Sequence, residues 1–256
     1  MPLIPSITTA NALVVGATGS IGLEFVRQLL QDDRIAHLFV TYRSAQTASA
    51  LFELAQQQPD RLYCTQMDLV EETQIEQGIA KIQQISDRLH IVVNCVGLLH
   101  SDQQQPEKAL RQLDADNLIR YFQVNSIGPV LLAKHLLPLL KHKDPSLLAT
   151  ISAKIGSIGD NRLGGWYGYR ASKAALNMFL KTAAIEYSRR SPHTVIVMLH
   201  PGTTDTQLSQ PFQRGVPPEK LFSPERTVSQ LITVLEGVTL ADSGDFFSWD
   251  GSRLPW

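Results

Sequence analysis

The feature of this sequence that most constrains its fold is a regular alternation of short apolar runs with segments of helical periodicity. The apolar runs predict β-strands near residues 12–17, 36–42, 62–68, 91–96, 147–152, 194–199 and 244–249. Apolar residues at helical spacing predict helices near residues 23–30, 48–57, 72–86, 114–140, 167–190 and 224–236. Several strands are continuous Val, Ile and Leu runs without polar alternation, which is typical of strands covered on both faces.

Strands that alternate with helices and are buried on both faces predict one α/β domain over residues 1–256. Right-handed crossovers then give a doubly wound, Rossmann-like parallel sheet with helices on both faces. A chain of 256 residues is long enough to bury a large core without disulfides or metals. No linker or repeat interrupts the pattern, and the Gln/Asp-rich segment 102–106 is predicted to be a solvated loop.

The charge balance argues against nucleic acids and membrane surfaces as partners. The chain has 23 basic and 24 acidic residues, a net charge of −1, whereas such partners attract basic proteins. The most apolar run, 129–140, contains Lys134, His135 and Pro138 and is too short to span a bilayer. Residues 1–5 lack the basic and apolar regions of a secretory signal, so none is expected.

The two cysteines, Cys64 and Cys95, lie in apolar surroundings and form no CxxC pair. We interpret them as reduced, packed thiols, with a disulfide or a metal site as the alternatives. Reduced thiols indicate a reducing compartment, and we therefore expect a cytoplasmic location. No histidine cluster in the sequence suggests a metal ion.

A glycine-rich turn follows the first predicted strand and precedes the first predicted helix. Glycines let the backbone turn sharply and approach a pyrophosphate closely, and the helix start offers unpaired N–H groups and a positive dipole end. This context favours a dinucleotide site over a plain tight turn. The residues predicted to line it are Gly16, Thr18, Gly19, Ser20, Ile21 and Gly22.

The end of the second predicted strand indicates which dinucleotide binds. Sites for NAD use an acidic residue there, which bonds the ribose 2′-hydroxyl. This chain has Arg43 instead, and no carboxylate between Val40 and Ser44. Because a guanidinium can pair with a 2′-phosphate, we predict NADP(H) rather than NAD(H). A solvated surface arginine is the alternative interpretation of Arg43.

Tyr169 and Lys173 are the strongest candidates for acid–base chemistry. They are four residues apart in a predicted helix and therefore share one face. A free tyrosine has a pKa near ~10, and a nearby ammonium favours the phenolate and lowers that pKa. A phenol tuned in this way can donate a proton to a carbonyl oxygen or take one from an alcohol. Tyr167 and Tyr187 have no lysine at the same spacing.

Together, the glycine turn and the Tyr169/Lys173 pair resemble the short-chain dehydrogenase/reductase family, over nearly the whole chain. The resemblance implies hydride transfer between a nicotinamide cofactor and a carbonyl or alcohol. It also implies that Lys173 holds the nicotinamide ribose and that Asn125 positions a water in a proton relay. The further cofactor-binding residues that it implies are Asp68, Leu69, Asn94, Gly97, Pro201, Gly202, Thr204 and Thr206. Asp68 as a helix cap and Asn125 as a structural brace are the alternative interpretations.

Two positions depart from the family pattern. Ser20 stands where a glycine is usual in the turn. When the end of the fifth strand is aligned with the family pattern at Gly156, Ala153 stands at the position of the family's catalytic serine. In the family that serine hydrogen-bonds the substrate oxygen. The bond to the substrate oxygen could then come from Ser152, from Ser157 or from no serine at all. Ser152 is the first candidate.

The segments 156–167 and 249–256 resemble one subgroup of the family, the developmental C-factor and related carbonyl reductases. We therefore predict an NADP(H)-dependent carbonyl reductase or alcohol dehydrogenase that acts on a small molecule, with Tyr169 as the acid/base. A nucleotide-binding signalling protein of the C-factor type, with little or no turnover, is the alternative; a nucleotide-sugar epimerase is less favoured because such relatives are usually longer. Residues 207–222 fall where the family keeps a substrate lid. The family also implies a homodimer or homotetramer.

Overall fold

One seven-stranded parallel sheet forms the centre of the computed structural model, which describes residues 7–256. The strands in chain order are β1 (Ala10–Val15), β2 (Ile35–Tyr42), β3 (Leu62–Gln66), β4 (Ile91–Asn94), β5 (Ser146–Ile151), β6 (Thr194–His200), β7 (Thr203–Thr204), β8 (Leu221–Phe222) and β9 (Phe246–Ser248). The sheet has the order β3-β2-β1-β4-β5-β6-β9, and every neighbouring pair is parallel. The short strands β7 and β8 pair with each other beside it.

Helices cover both faces of this sheet. They are α1 (Ser20–Leu30), α2 (Ser49–Gln57), α3 (Glu72–Gln83), α4 (Ala115–Phe122), α5 (Gly128–Leu140), α6 (Tyr167–Arg190) and α7 (Pro224–Gly237). On one face α1, α2 and α7 pack through residues such as Phe25, Leu51 and Leu231. On the other face α3, α5 and α6 pack through residues that include Ile79 and Leu136. The predicted doubly wound, Rossmann-like fold is thus confirmed.

The sheet topology places a crevice at one edge. Because the strands are parallel, all their carboxyl ends lie at the same edge. The chain progresses outward from β1 to β2 and β3, but in the opposite direction from β4 to β5 and β6. The connections that follow β1 and β4 therefore diverge, and the space between them is where such sheets bind ligands.

The long helix predicted at 114–140 is two helices, α4 and α5, joined by a π turn over Gln123–Ile127. Pro129 provides a physical reason for the interruption. It lacks the N–H that an α-helix would donate to the carbonyl of Asn125, and its ring would crowd that carbonyl. A π turn widens the backbone at this point.

Local features differ in how well composition predicts them. The segment 102–106 is only partly a solvated loop, because Gln104 and Pro106 are buried. Cys64 and Cys95 are free thiols, and burial raises the pKa of each.

No helix within residues 7–256 is both long and apolar enough to cross a bilayer. Residues 1–5, where no secretory signal is predicted, lie outside the described residues.

Gly22 and Gly19 give a matched test of the turn after β1. A Cβ on Gly22 would collide with the carbonyl oxygen of Gly16, whereas a Cβ on Gly19 would lie 3.7 Å from that oxygen. We expect Gly22→Ala to lower the free energy of unfolding by roughly 1–3 kcal/mol, as at other overpacked sites, and Gly19→Ala by less than about 1 kcal/mol. Urea denaturation measures both changes, and equal effects would contradict this account of the turn.

Candidate active site

A cleft of about 400 Å³ lies at the carboxyl edge of the sheet. It is lined by the start of α1, the connections after β4, β5 and β6, and the start of α6. Of the residues predicted from the sequence, those in the lining are Gly19, Ser20, Ile21, Gly22, Gly97, Ser152, Tyr169, Lys173, Pro201, Gly202, Thr204 and Thr206. The fold therefore brings together the glycine turn, the Tyr169/Lys173 pair and the segment after β6, which are distant in sequence.

The glycine turn has the form that a bound diphosphate requires. Gly16 has a left-handed φ of +76°, and a Cβ on it would lie 2.8 Å from the Val96 side chain. The Gly16 N–H donates to Thr41 Oγ1 at 3.1 Å, which ties the turn to β2, whereas Thr18 is half-buried and lies outside the cleft lining. α1 begins at Ser20 with no side-chain cap, and its first turn lines the cleft. This close backbone approach, beside a helix start with unpaired donors, fits a dinucleotide pyrophosphate.

Six predicted cofactor residues lie outside the cleft lining, and three of them follow the carboxyl ends of β2 and β3. Arg43 directly follows β2 and is exposed. Asp68 does not cap α3, which begins at Glu72; instead its Oδ1 accepts the Val70 N–H at 3.1 Å. Leu69 is buried beside it. The alternative interpretation of Asp68 as the helix cap is therefore wrong, and its contact with an adenine stays a prediction.

Asn94 and Asn125 hold the connection after β4 in place. Asn94 Oδ1 accepts the Val96 N–H at 3.1 Å, and its Nδ2 is buried without a partner among residues 7–256. Asn125 Oδ1 accepts the Leu98 N–H at 2.7 Å, and its Nδ2 donates to the Leu98 carbonyl at 2.9 Å and to Ser172 Oγ at 3.0 Å. The Asn125 side chain is thus a brace between this connection and α6. The relay-water role that the family implies stays a prediction.

Tyr169 and Lys173 are one turn apart on α6, line the cleft and are 8% and 2% exposed. The Lys173 Nζ donates to the Ile151 carbonyl at 3.0 Å, which fixes the side chain against the end of β5. The same Nζ lies 5.9 Å from the centre of the Tyr169 ring. An ammonium has three N–H donors, so the Ile151 bond leaves donors available to a ligand in the cleft.

Burial shifts both pKa values toward the uncharged forms. It raises the pKa of the Tyr169 phenol, with a smaller contribution from Tyr121, and it lowers the pKa of Lys173 from 10.5 to about 8. The sequence predicted a lowered phenol pKa because an ammonium is near. The structure contradicts that prediction, because desolvation of the buried phenol dominates. Tyr169 is therefore a protonated phenol at neutral pH.

The serine candidates occupy different places. Ala153, at the position of the family's serine, lines the cleft. Ser152 also lines the cleft, but its hydroxyl donates to Asn177 Oδ1 at 2.7 Å. Ser157 is buried outside the lining, and its Oγ accepts a backbone N–H of its own turn at 3.2 Å. Of the two serine candidates, Ser152 is thus the one that lines the cleft, and its proton is engaged by Asn177 of α6.

The segment after β6 closes one side of the cleft. Gly202 has a φ of +73°, and a Cβ on it would lie 2.7 Å from the Phe222 ring. Thr204 is buried, and its hydroxyl bonds the Thr227 hydroxyl at 2.9 Å. The Thr206 hydroxyl donates to a serine hydroxyl of the next turn at 3.3 Å. Both threonine hydroxyls therefore have protein partners, and their contact with a carboxamide stays a prediction.

An apolar pocket extends from Tyr169 toward the segment 207–222. Trp166, Leu208 and Phe212 line it and pack with Tyr169 in one hydrophobic cluster. The Trp166 ring centre lies 4.8 Å from that of Phe212 and 6.3 Å from that of Tyr169. This lining suits an apolar group attached to the reacting carbon.

Sequence reasoning missed Glu107 and the backbone form of Trp166. Trp166 has a left-handed φ of 53° and follows two left-handed glycines, Gly164 and Gly165. The two glycines were the available signal, because glycine adopts such backbone freely. His200 lines the cleft, and burial lowers its pKa to about 4. Nothing local marks Glu107 as buried, since it stands between Pro106 and Lys108 after a run of three glutamines.

A group of three potential metal ligands lies at the opposite edge of the sheet. Among residues 7–256, His90, His142 and Asp144 have ligand atoms within 4.8 Å of one another. His90 Nδ1 accepts the Asn11 N–H at 3.0 Å, so its Nε2 carries the ring proton. Arg88 already pairs with Asp144 at 2.9 Å. These bonds oppose metal binding, and the expected absence of a metal stays a prediction.

A doubly wound sheet, an uncapped glycine turn and a buried Tyr/Lys pair in one cleft define a nucleotide-dependent oxidoreductase. Comparison with known proteins gives the particular family. The chain belongs to the short chain dehydrogenase family, whose sequence model matches residues 10–216. The resemblance predicted from the motifs is thus confirmed.

Individual relatives support the same assignment. The C-signal of Myxococcus xanthus is 33% identical over 148 residues, 58% of this chain and 84% of the relative. A benzil reductase ((S)-benzoin forming) of Saccharomyces cerevisiae is 28% identical over 265 residues, 94% of this chain and 96% of the relative. The crystal structure of an NADPH-bound carbonyl reductase from chicken fatty liver has a TM-score of 0.86 at 26% identity, covering 97% of this chain and 99% of that one.

The burial of Lys173 predicts a pH dependence of stability. Its pKa is about 8 in the folded protein and 10.5 when unperturbed, so between these values the unfolded chain keeps a proton that the folded chain has released. Stability contributed at this site therefore rises from pH 8 to 10.5, by roughly 2–4 kcal/mol in total. We expect the unfolding free energy of the native protein, relative to that of Lys173→Met, to rise over this range in urea denaturation.

The comparison with Lys173→Met removes the effect of the buried tyrosines. Burial raises the pKa values of Tyr169 and Tyr187, so their folded forms hold protons above pH 10 and both proteins lose stability there. Parallel pH profiles for the native protein and the variant would contradict a deprotonating Lys173.

Proposed function

We propose that this protein is an NADP(H)-dependent carbonyl reductase that interconverts a small ketone or aldehyde and the corresponding alcohol. The observation that carries the proposal is that Tyr169 and Lys173 line the same cleft as the uncapped start of α1. The family supports an oxidoreductase. The NADPH-bound carbonyl reductase from chicken and the yeast benzil reductase support the cofactor and the carbonyl substrate.

The residues of the cleft divide the chemical work. The nicotinamide cofactor supplies or accepts the hydride when bound. Tyr169, protonated at neutral pH because burial raises its pKa, donates its proton to the carbonyl oxygen as negative charge develops there. Lys173, anchored on Ile151, directs its remaining N–H donors to the nicotinamide ribose. Asn125 braces the adjoining connection and positions the relay water.

The catalytic serine of the family has no direct replacement in this proposal. Ala153 stands at its position, and Ser152, although in the cleft, donates its proton to Asn177. We therefore assign the bond to the substrate oxygen to Tyr169, and a supporting role in the cleft wall to Ser152. The segment 207–222 acts as the substrate lid, since Leu208, Phe212 and Val216 face the cleft from it.

Cofactor binding extends along the carboxyl edge of the sheet. The glycine turn would hold the pyrophosphate, Asp68 and Leu69 would hold the adenine, and the exposed Arg43 would hold the 2′-phosphate. The remaining contacts that we assign are with Asn94, Gly97, Pro201, Gly202, Thr204 and Thr206.

Tyr169→Phe tests the proposed reaction. Loss of the proton donor is expected to lower kcat for NADPH-dependent reduction by at least about 100-fold, while the Kd for NADPH changes less than about threefold. The matched control is Tyr167→Phe, which removes the same hydroxyl from a more exposed position two residues earlier on α6. Aromatic ketones, diketones, quinones and aldehydes form the substrate panel, and near-native turnover by Tyr169→Phe would refute the role.

Arg43→Ala tests the choice of cofactor. Removing the guanidinium is expected to raise the Kd for NADPH by roughly 10–100-fold and to leave the Kd for NADH nearly unchanged, because only NADPH has a 2′-phosphate. Arg189→Ala is the control, since it removes an equally exposed arginine from the last turn of α6. Tighter binding of NADH than of NADPH by the native protein would overturn the assignment.

The C-signal of Myxococcus xanthus motivates one second candidate, a signalling protein that binds the nucleotide without turnover. The same assays separate the two functions. NADPH binding without oxidation on any carbonyl of the panel would favour the signalling function, whereas turnover that depends on Tyr169 favours the reductase.

We also propose self-association as a homodimer or homotetramer, and a cytoplasmic location. Exposed apolar side chains on α4 and α6 support association; they include Ile119, Met178, Phe179 and Ile185. The free thiols of Cys64 and Cys95 support a reducing compartment.

A further inference from the structure

Glu107 is a buried carboxylate at the start of the helix that carries Tyr169. It is 4% exposed and forms no ion pair with the residues that the structure describes, 7–256. Its Oε1 is buried without a hydrogen-bond partner within the same residues. A buried carboxylate without a cation is costly, so its position calls for a physical reason.

That reason is the missing cap of α6. The residue before the helix, Trp166, has no side-chain oxygen with which to accept a first-turn N–H, and its backbone is left-handed. Glu107 replaces the cap from 61 positions away, because its Oε2 accepts the Gly168 N–H at 3.1 Å. Its backbone carbonyl also accepts the Trp166 N–H. The negative charge lies at the positive end of the helix dipole, where it is most favourable.

Gly168 packs closely against both Tyr121 and Glu107. A Cβ on Gly168 would collide with the Tyr121 ring and lie 3.0 Å from Glu107 Oε1. Tyr121 is itself fixed, since its hydroxyl donates to the Leu99 carbonyl at 2.6 Å. The first turn of α6 is therefore held between Tyr121 and Glu107, immediately before Tyr169.

We infer that Glu107 is a positioning residue that sets the place of both Tyr169 and Trp166 in the cleft. It bonds the N–H groups of residues 166 and 168, on either side of the helix start. The Tyr169 ring follows directly, and the Trp166 ring lies between Tyr169 and Phe212 of the lid segment. A change of the Glu107 side chain removes only the bond to the Gly168 N–H, because the Trp166 N–H is bonded by the backbone carbonyl. We expect the loss of that one bond to displace the Tyr169 ring. The inference rests on the proposed role of Tyr169.

Three proteins test the clamp: the native chain, Glu107→Ala and Glu107→Gln. Glu107→Ala removes the acceptor of the Gly168 N–H. Glu107→Gln keeps an oxygen of the same reach for that N–H, removes the charge and puts an NH2 group in place of the other oxygen. We expect Glu107→Ala to lower kcat for carbonyl reduction by at least about tenfold with a less than about twofold change in the Kd for NADPH, and Glu107→Gln to stay within about threefold of native kcat.

Hydrogen–deuterium exchange provides a second readout that does not need turnover. The peptide containing residues 166–170 is expected to exchange faster in Glu107→Ala than in the native protein, and at the native rate in Glu107→Gln. If the native protein reduces no carbonyl, the proposed function fails, but these exchange rates still decide whether Glu107 clamps the helix.

Ser223→Ala is the matched control. Ser223 Oγ accepts the Arg226 N–H at 3.2 Å and so caps α7, which does not carry Tyr169. The Ser223→Ala protein is expected to be destabilised by the amount that is usual when a helix cap is removed, and to keep native kcat. Native kcat or unchanged exchange in Glu107→Ala would overturn the inference, as would equal losses of kcat in both Glu107 variants. If Glu107→Ala does not fold, Glu107→Asp replaces it, and native kcat in that shorter variant overturns the inference equally.

Discussion

The hydrogen bond from Lys173 to the carbonyl of Ile151 is the interaction on which the site depends. It joins α6 to the end of β5 and places a buried ammonium at the bottom of the cleft. Burying such a group is unfavourable, and the lowered pKa of Lys173 is the measure of that cost. Close packing reinforces the contact, because Gly156 lies so near Lys173 that a Cβ on it would be 2.8 Å from the lysine Cβ. Burial of Lys173 thus lowers the stability of the fold, at the place where the proposed function needs an ammonium near the Tyr169 phenol.

Much of this architecture could be predicted because local sequence determines it. The apolar runs of the strands identify a buried parallel sheet, and glycines at 16, 19 and 22 mark a turn against a helix start. The four-residue spacing of Tyr169 and Lys173 places both on one face whatever the rest of the chain does. These are properties of segments shorter than about 20 residues, so they survive without knowledge of the tertiary contacts.

What could not be predicted depends on contacts between distant segments. Glu107 stands between Pro106 and Lys108, and its bond to the Gly168 N–H joins residues 61 positions apart. The pKa of Tyr169 was predicted to fall because the sequence reveals an ammonium at the right spacing but not the depth of burial. The π turn around Asn125 is an intermediate case. Pro129 signals an interrupted helix in the sequence, yet the bonds from Asn125 to Leu98 appear only in the fold.

Burial of Tyr169 favours the protonation state that the proposed reduction needs. Reduction begins with a protonated phenol, which a raised pKa guarantees at neutral pH, whereas alcohol oxidation needs the phenolate. Because Ala153 stands in the family's serine position and the Ser152 proton is engaged by Asn177, the proposed reduction assigns the bond to the substrate oxygen to Tyr169. Transition-state stabilisation then depends on how accurately Tyr169 is placed. A first helical turn held by Glu107 and Tyr121 supplies that accuracy, which explains why a buried carboxylate is tolerated beside the proton donor.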